Sequence, residues 1–315
     1  MIPFIHIGPV TIASFGLCVG FAMLISYFVL AADVKRRGIA APPDLLIAVP
    51  CIAGLIGAKL YHVLENPRLL MADPHELISQ YGFAWFGGLI GGVAGFVWLA
   101  QHYRVLLLEM FDAASPAAAL GYGLGRIGCF MSGDGDYGKP TNLPWGMSFP
   151  HGTVPTTVTC VQWGWPANCR VQPTPLYELA VAIFVCWWLW KLGGRQVGAG
   201  KNTKASAKVT VNAEGNAPAK TPLSAARLET RETQRMGQPE NQGGAGWWIP
   251  RGMVFAQYLI LTGVARFLVE FVRINPRSFF GMTNAQAASL ASIILAIFVI
   301  VHIRRDSGTL VPAKP

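Results

Sequence analysis

Seven stretches of this chain stay apolar for about the length a bilayer requires, and that constrains the fold more than any other feature. About 30 Å of hydrocarbon takes roughly 20 helical residues at 1.5 Å rise each. The stretches cover residues 11–32, 45–64, 83–101, 113–131, 176–190, 253–271 and 285–303. None alternates with period two, so helices are expected rather than a barrel, since a spanning backbone must satisfy its own hydrogen bonds. Composition agrees: 13% of the 315 residues are charged, against roughly 25% in soluble chains. The expected class is an all-α polytopic membrane protein of about seven transmembrane helices. Residues 1–10 contain no basic residue and no A-x-A cleavage pattern follows, so the first stretch is read as a retained helix, not a signal peptide.

The net charge of +9 would suit a nucleic-acid partner only if it gathered on one face, and it does not. Lys and Arg concentrate in alternate connecting segments, with Lys35, Arg36 and Arg37 beside the first helix as the strongest group. By the enrichment of cytoplasmic loops in Lys and Arg, the N-terminus is expected outside and the C-terminus in the cytoplasm. Helices one to four then occupy 1–131, an extracytoplasmic cap 132–174, helix five 175–192, helices six and seven 252–303, and a cytoplasmic tail 304–315.

Residues 193–251 are rich in Ala, Gly, Lys, Thr, Asn, Gln and Glu. They hold too little apolar surface to offset ordering entropy, so a disordered cytoplasmic linker is expected there. The cap is rich in Gly, Pro, Trp and Thr and reads as ordered turns and short strands. Cys160 and Cys169 lie nine positions apart in it, where an oxidising compartment favours a disulfide over two free thiols. Their spacing without partnering His is not a zinc pattern.

Glycines at intervals of four, such as Gly87, Gly91 and Gly95, offer small-residue faces for close helix approach. Gly123-Leu124-Gly125-Arg126-Ile127-Gly128 formally matches the dinucleotide pattern G-x-G-x-x-G, but no strand precedes it, so no nicotinamide or flavin is expected. Charges inside spans are costly and point to function by default. Lys59, Arg126, Glu178, Arg266 and Glu270 all fall toward one end of their helices. These three cations and two carboxylates leave one positive charge, which a phosphate diester would balance. The planar fork of Arg suits two phosphate oxygens at once. The plainer readings are an Arg266–Glu270 pair one turn apart and a Lys59 side chain reaching the interface beside Tyr61 and His62. Arg126 has no acidic neighbour one turn away, so its partner must come from another helix or a ligand.

Gly125-Arg126-Ile127-Gly128-Cys129-Phe130, leading into Gly133-Asp134 and Tyr137-Gly138, resembles the signature of the prolipoprotein diacylglyceryl transferases. The resemblance extends to Gly57-Ala58-Lys59-Leu60-Tyr61, to Gly87-Gly88-Leu89-Ile90-Gly91, to Pro173-Thr174-Pro175-Leu176-Tyr177-Glu178, and to the run from Arg266 through Glu270 to Arg273. It implies transfer of the diacylglyceryl group of phosphatidylglycerol to the lipobox cysteine of a prolipoprotein signal peptide. The setting it implies is the bacterial cytoplasmic (inner) membrane and its lipids, with no cofactor, metal or nucleic acid. Arg126 and Arg266 become the expected stabilisers of the departing phosphate, with Glu270 orienting one of them. Lys59, Phe86, Gly87, Gly88, Cys129, Asp134, Gly138, Tyr177 and Glu178 are the expected substrate-binding positions.

The chain also departs from the family pattern. Phe86 stands where members commonly carry His, Phe15 and Thr262 where they carry Tyr, and Cys129 where many have Asn. The segment 133–138 is one residue longer than in shorter versions. The usual proton acceptor is thereby replaced, with His62, Asp134, Asp136 and His151 as candidates. Beside an active transferase stands the alternative of a diverged member that binds an anionic phospholipid without transferring it.

Overall fold

The computed structural model describes residues 2–8, 10–66, 84–213, 249–277 and 280–308. The chain opens on an antiparallel hairpin, β1 (Phe4–Ile7) with β2 (Val10–Ala13), in the register Phe4 to Ala13. Its turn uses Gly8 at φ +60°, a conformation glycine adopts without a Cβ penalty. This corrects the purely helical expectation, because the apolar stretch beginning at residue 11 enters as a strand. Its alternation of Val10, Thr11, Ile12 and Ala13 was too short to register as a strand signal.

Helices α1 (Ser14–Arg37), α2 (Pro43–Glu65), α3 (Trp85–His102) and α4 (Leu107–Ser132) follow. After a cap carrying the short α5 (Thr156–Gln162) come α6 (Thr174–Ala213), α7 (Met253–Val269) and α8 (Asn284–Gly308). Four segments are long and apolar enough to cross a membrane: Ser14–Arg37, Pro43–Glu65, Thr174–Val197 and Asn284–Arg305. Helix α6 passes the compositional boundary at 193 without ending there. Residues 214–248 of the expected linker lie outside the described residues, as do 67–83. Lys191–Pro250 belong to a unit of their own, in which Gln196 Nε2 donates to Pro250 O.

Within the remaining unit, α2 packs on α3, α1 on α4, α8 on α7, and α4 on α7. A buried apolar core of Leu30, Val34, Leu46, Leu99, Met110 and Ala113 gathers where α1 and α3 end and α2 and α4 begin. At that end Asp112 accepts from the backbone N–H of Gly252 (2.7 Å) and Phe255 (2.8 Å), so α4 caps the start of α7. This satisfies helix N-terminal donors that would otherwise lack partners. The opposite ends of α4 and α7 and the start of α6 therefore share the far side of the unit.

The cap is built on buried Tyr137, Phe149, Cys160, Cys169 and Val171. It contains α5, a helix that the reading of turns and strands did not include, and the Cys160–Cys169 disulfide is formed. Isolated bridges tie Gly138 to Arg273 and Val171 to Pro140 and Met147.

Candidate active site

Arg126 lies in the last two turns of α4, Glu178 near the start of α6, and Arg266 near the end of α7. Helix packing brings the three together. Arg126 Nε is 2.5 Å from Glu178 Oε2, and Arg266 Nη1 donates to Glu178 Oε1 at 2.5 Å. Arg266 also pairs with Glu270 at 3.2 Å, one helical turn on. On its other side Arg126 donates to the hydroxyl of Tyr122 (2.9 Å), with its guanidinium 4.8 Å from that ring.

Two further charges complete the cluster, and the sequence grouping missed both. Asp136, in the loop after α4, bridges Arg126 and Arg273 with its two carboxylate oxygens. Arg273 reaches Glu270 at 3.7 Å and Glu178 at 3.9 Å. The loop is held in place by its backbone. Lys139 N donates to Val272 O and Gly138 N to Gln172 O, both at 2.8 Å, and the Thr174 hydroxyl donates to Asp136 O. A Cβ on Gly138 would press within 2.8 Å of Val272 O and 2.9 Å of Thr174 Cγ2, so the residue there must be glycine.

The charge reckoning is corrected accordingly. The ion pairs join three guanidiniums (Arg126, Arg266, Arg273) to three carboxylates (Asp136, Glu178, Glu270), leaving no surplus cation among them. Lys59, expected in this group, is buried on α2, the helix that packs on α3. Burial would raise the Asp136 carboxyl, but the adjacent Arg273 and Arg126 guanidiniums override it and hold it below the usual range. Asp134, two residues earlier, is pushed up instead, by burial and by the Asp136 charge. Arg126 Nε, Arg273 Nε and Arg273 Nη1, like Glu178 Oε2 and Glu270 Oε2, are buried without hydrogen-bond geometry, and each of these N–H groups faces a carboxylate oxygen as an ion pair.

The other expected residues fall around this cluster in different ways. The Cys129 thiol lies 3.7 Å from Arg126 Nη1 and is buried. Cys129, Asp134 and Asp136 bring ligand atoms within 4.8 Å of one another, a trio that could hold a metal ion. Both oxygens of Asp136 are engaged by guanidiniums, and those charges oppose a cation there. Tyr177 accepts from Trp145 Nε1 at 2.7 Å at the start of α6. Phe86 is exposed on α3. Gly87 packs against Gly57 and Tyr61 of α2, which gives it a packing reason to be glycine, while Gly88 has Ala58 at an ordinary 3.5 Å. Beside Arg126, the site of a Cβ on Gly125 is open space and Tyr122 is exposed, so the cluster has an open flank.

Four long apolar helices and an arginine–carboxylate cluster where α4, α6 and α7 meet are the features of a multi-pass membrane protein with a charged centre. A sequence model of the prolipoprotein diacylglyceryl transferases matches residues 3–210 and 245–302. The chain belongs to that family. Among similar proteins, the phosphatidylglycerol–prolipoprotein diacylglyceryl transferase of Clostridium tetani is 27% identical over 306 residues, covering 92% of this chain and 96% of that protein. The enzyme of the same name from Nitrosomonas europaea is 29% identical over 205 residues, 62% of this chain and 68% of its own. That from Trichormus variabilis is 30% identical over 201 residues, 61% and 68%.

Proposed function

We propose that this chain transfers the diacylglyceryl group of phosphatidylglycerol to the lipobox cysteine thiol of a prolipoprotein signal peptide. The observation that carries the reading is the gathering of Arg126, Arg266 and Arg273 into one cluster beside the open flank at Gly125, in a chain of this family. The thiolate sulfur attacks the glyceryl carbon bearing the phosphate and a thioether forms. The carbon–oxygen bond breaks, and its electron pair leaves on glycerol phosphate. Arg126, Arg266 and Arg273 stabilise that growing charge, which counts for more in the transition state than in the ground state. Asp136 is the member of the cluster that gives way to the phosphate, since its side chain is 28% exposed against 3% for Glu178.

The thiol proton goes to Asp134. Its raised pKa brings it nearer that of a thiol, and it lies by Cys129, which takes the position that is Asn in many relatives. Phe86 has no proton to exchange. In this reading α1, α2, α3, α4, α6, α7 and α8 are the seven spans of a protein of the bacterial inner membrane. The cap between α4 and α6 lies outside, with the N-terminus, and the segment from 193 to 251 is cytoplasmic.

The test is mass spectrometry of a lipobox peptide incubated with the purified protein in phosphatidylglycerol vesicles. A diacylglyceryl mass gain is expected. Retention of the lipid with no gain would replace the transferase reading by lipid binding alone. Because Asp134 is raised, its base form fills only above the ordinary carboxylate pKa of about 3.9. The rate should therefore rise with pH through a limb above that value, and Asp134→Asn should abolish the limb and most of the rate. A parental pH profile in Asp134→Asn would assign the proton elsewhere.

A further inference from the structure

Helix α5 is polar inside and apolar outside. Thr156 and Thr159 are fully buried, their hydroxyls spent on Phe149 N (2.9 Å) and on the Tyr137 hydroxyl (2.9 Å). Val158 and Val161, one turn apart on the other face, are 51% and 62% exposed, and Trp163 follows at 45%. A surface helix in water shows the reverse pattern, whereas a single exposed valine would need no account.

The surroundings of this face say what covers it. Lys139 Nζ lies 5.8 Å from the Trp163 ring and donates to Phe271 O, just past the end of α7, where Phe271 and Leu268 are themselves exposed. Trp145, also exposed, donates to Tyr177 at the start of α6. Trp, Tyr and Lys at the ends of apolar helices make up the belt that marks the edge of a bilayer. The outer face of α5 is thus joined through Lys139 to the lipid-facing end of α7.

We propose that Val158, Val161 and Trp163 form a membrane-surface anchor that seats the cap in the headgroup–acyl boundary. Side chains of this kind bury roughly 5–10 Å into that boundary. The anchor also connects to the site. Thr153 N and Val154 N, just before α5, donate to Ser132 O and Gly133 O at the end of α4, both at 2.9 Å. The Tyr137 hydroxyl donates to Val154 O at 2.9 Å, one residue beyond Asp136. Seating α5 at a fixed depth therefore sets the depth of the loop that carries Asp134 and Asp136.

The experiment reads lipid contact and not turnover, so it stands or falls apart from the transferase reading. The full-length protein in phosphatidylglycerol–phosphatidylcholine nanodiscs carries benzoylphenylalanine at Val158 or, separately, at Val161, with Leu268 on α7 as the lipid-exposed reference. On irradiation, phospholipid adducts are expected at both positions, and Val161→Asp should abolish the adduct formed at position 158 while the disulfide stays intact. Adducts at position 268 without any at 158 or 161 would overturn the anchor. Adducts of 158 and 161 only with an added apolar signal peptide, and not with lipid, would also overturn it and make the face a peptide dock.

Discussion

Helices α2 and α3 meet through bare backbone, whereas α4, α6 and α7 meet through buried charge. Both pairings answer one difficulty: in a bilayer, lipid tails are as apolar as leucine, so burying apolar surface does little to bring helices together. At the first contact Gly57, Gly87 and Gly91 remove the side chains, and a Cβ on any of them would strike the backbone of the other helix. At the second, three carboxylates and three guanidiniums interlock. A buried charge network of this kind is weak evidence for stability, because desolvation offsets most of its attraction. The first contact is therefore read as architecture, and the second as a structure kept for what it does to an anion.

The largest effect expected from separating the two concerns Glu178, which pairs with all three arginines. Glu178→Gln leaves three guanidiniums, that of Arg273 buried, facing two carboxylates. Removing one partner of a buried pair costs about 3–5 kcal/mol, so a fall in Tm of the detergent-solubilised protein is expected. An unchanged Tm would mean that the network is already open to water.

Next in size is Arg126→Lys. It keeps the charge balance but loses the planar fork, so stability should hold while the transfer rate drops by roughly 10²- to 10³-fold. Parental rates in this variant would remove Arg126 from phosphate handling. This prediction rests on a residue that the sequence singled out, because Arg126 is a charge within an apolar stretch. Arg266, Glu270 and Glu178 were legible for the same reason.

Arg273 and Asp136, named in the family motif and among the candidate proton acceptors, were left out of the charge group because they lie just outside the apolar stretches, where charges are ordinary. Only backbone pairing between segments more than 130 residues apart, Lys139 to Val272, turns them inward. A signal for Arg273 existed, three residues beyond Glu270 and seven beyond Arg266. The long apolar helices were legible from hydrophobic length, while the hairpin and α5 were too short for their pattern to stand out.

The glycine contact gives the third prediction. Gly87→Ala introduces a methyl against Gly57 O and Tyr61 Cβ. Overpacking of this sort costs roughly 1–3 kcal/mol, and it should lower Tm without changing the rate per folded molecule. A smaller effect distinguishes the charged region by pH. Asp136 is held below its ordinary pKa by Arg273 and Arg126 despite its burial, so its contribution is present above about pH 4 and is lost as pH falls through the depressed value. Melting curves of the parent should therefore fall off in acid more steeply than those of Asp136→Asn.

The smallest expected effect is the sharpest test of the backbone contact, because it changes sign over one residue. Gly88 follows Gly87 on α3, yet a Cβ there meets Ala58 at 3.5 Å and Gly54 O at 3.7 Å, both ordinary contacts. Alanine gains about 0.5–1 kcal/mol over glycine in a helix interior, since it gives up less backbone freedom on folding. Nothing at this position opposes that gain. Gly88→Ala should be neutral or raise Tm slightly, while Gly87→Ala lowers it. Equal losses from the two would mean that α2 and α3 are held by something broader than the line of Gly57, Gly87 and Gly91. Equal gains would mean that the helices can slide apart by the width of a methyl group at no cost, and the contrast between backbone-packed and charge-packed contacts would fail on its first side.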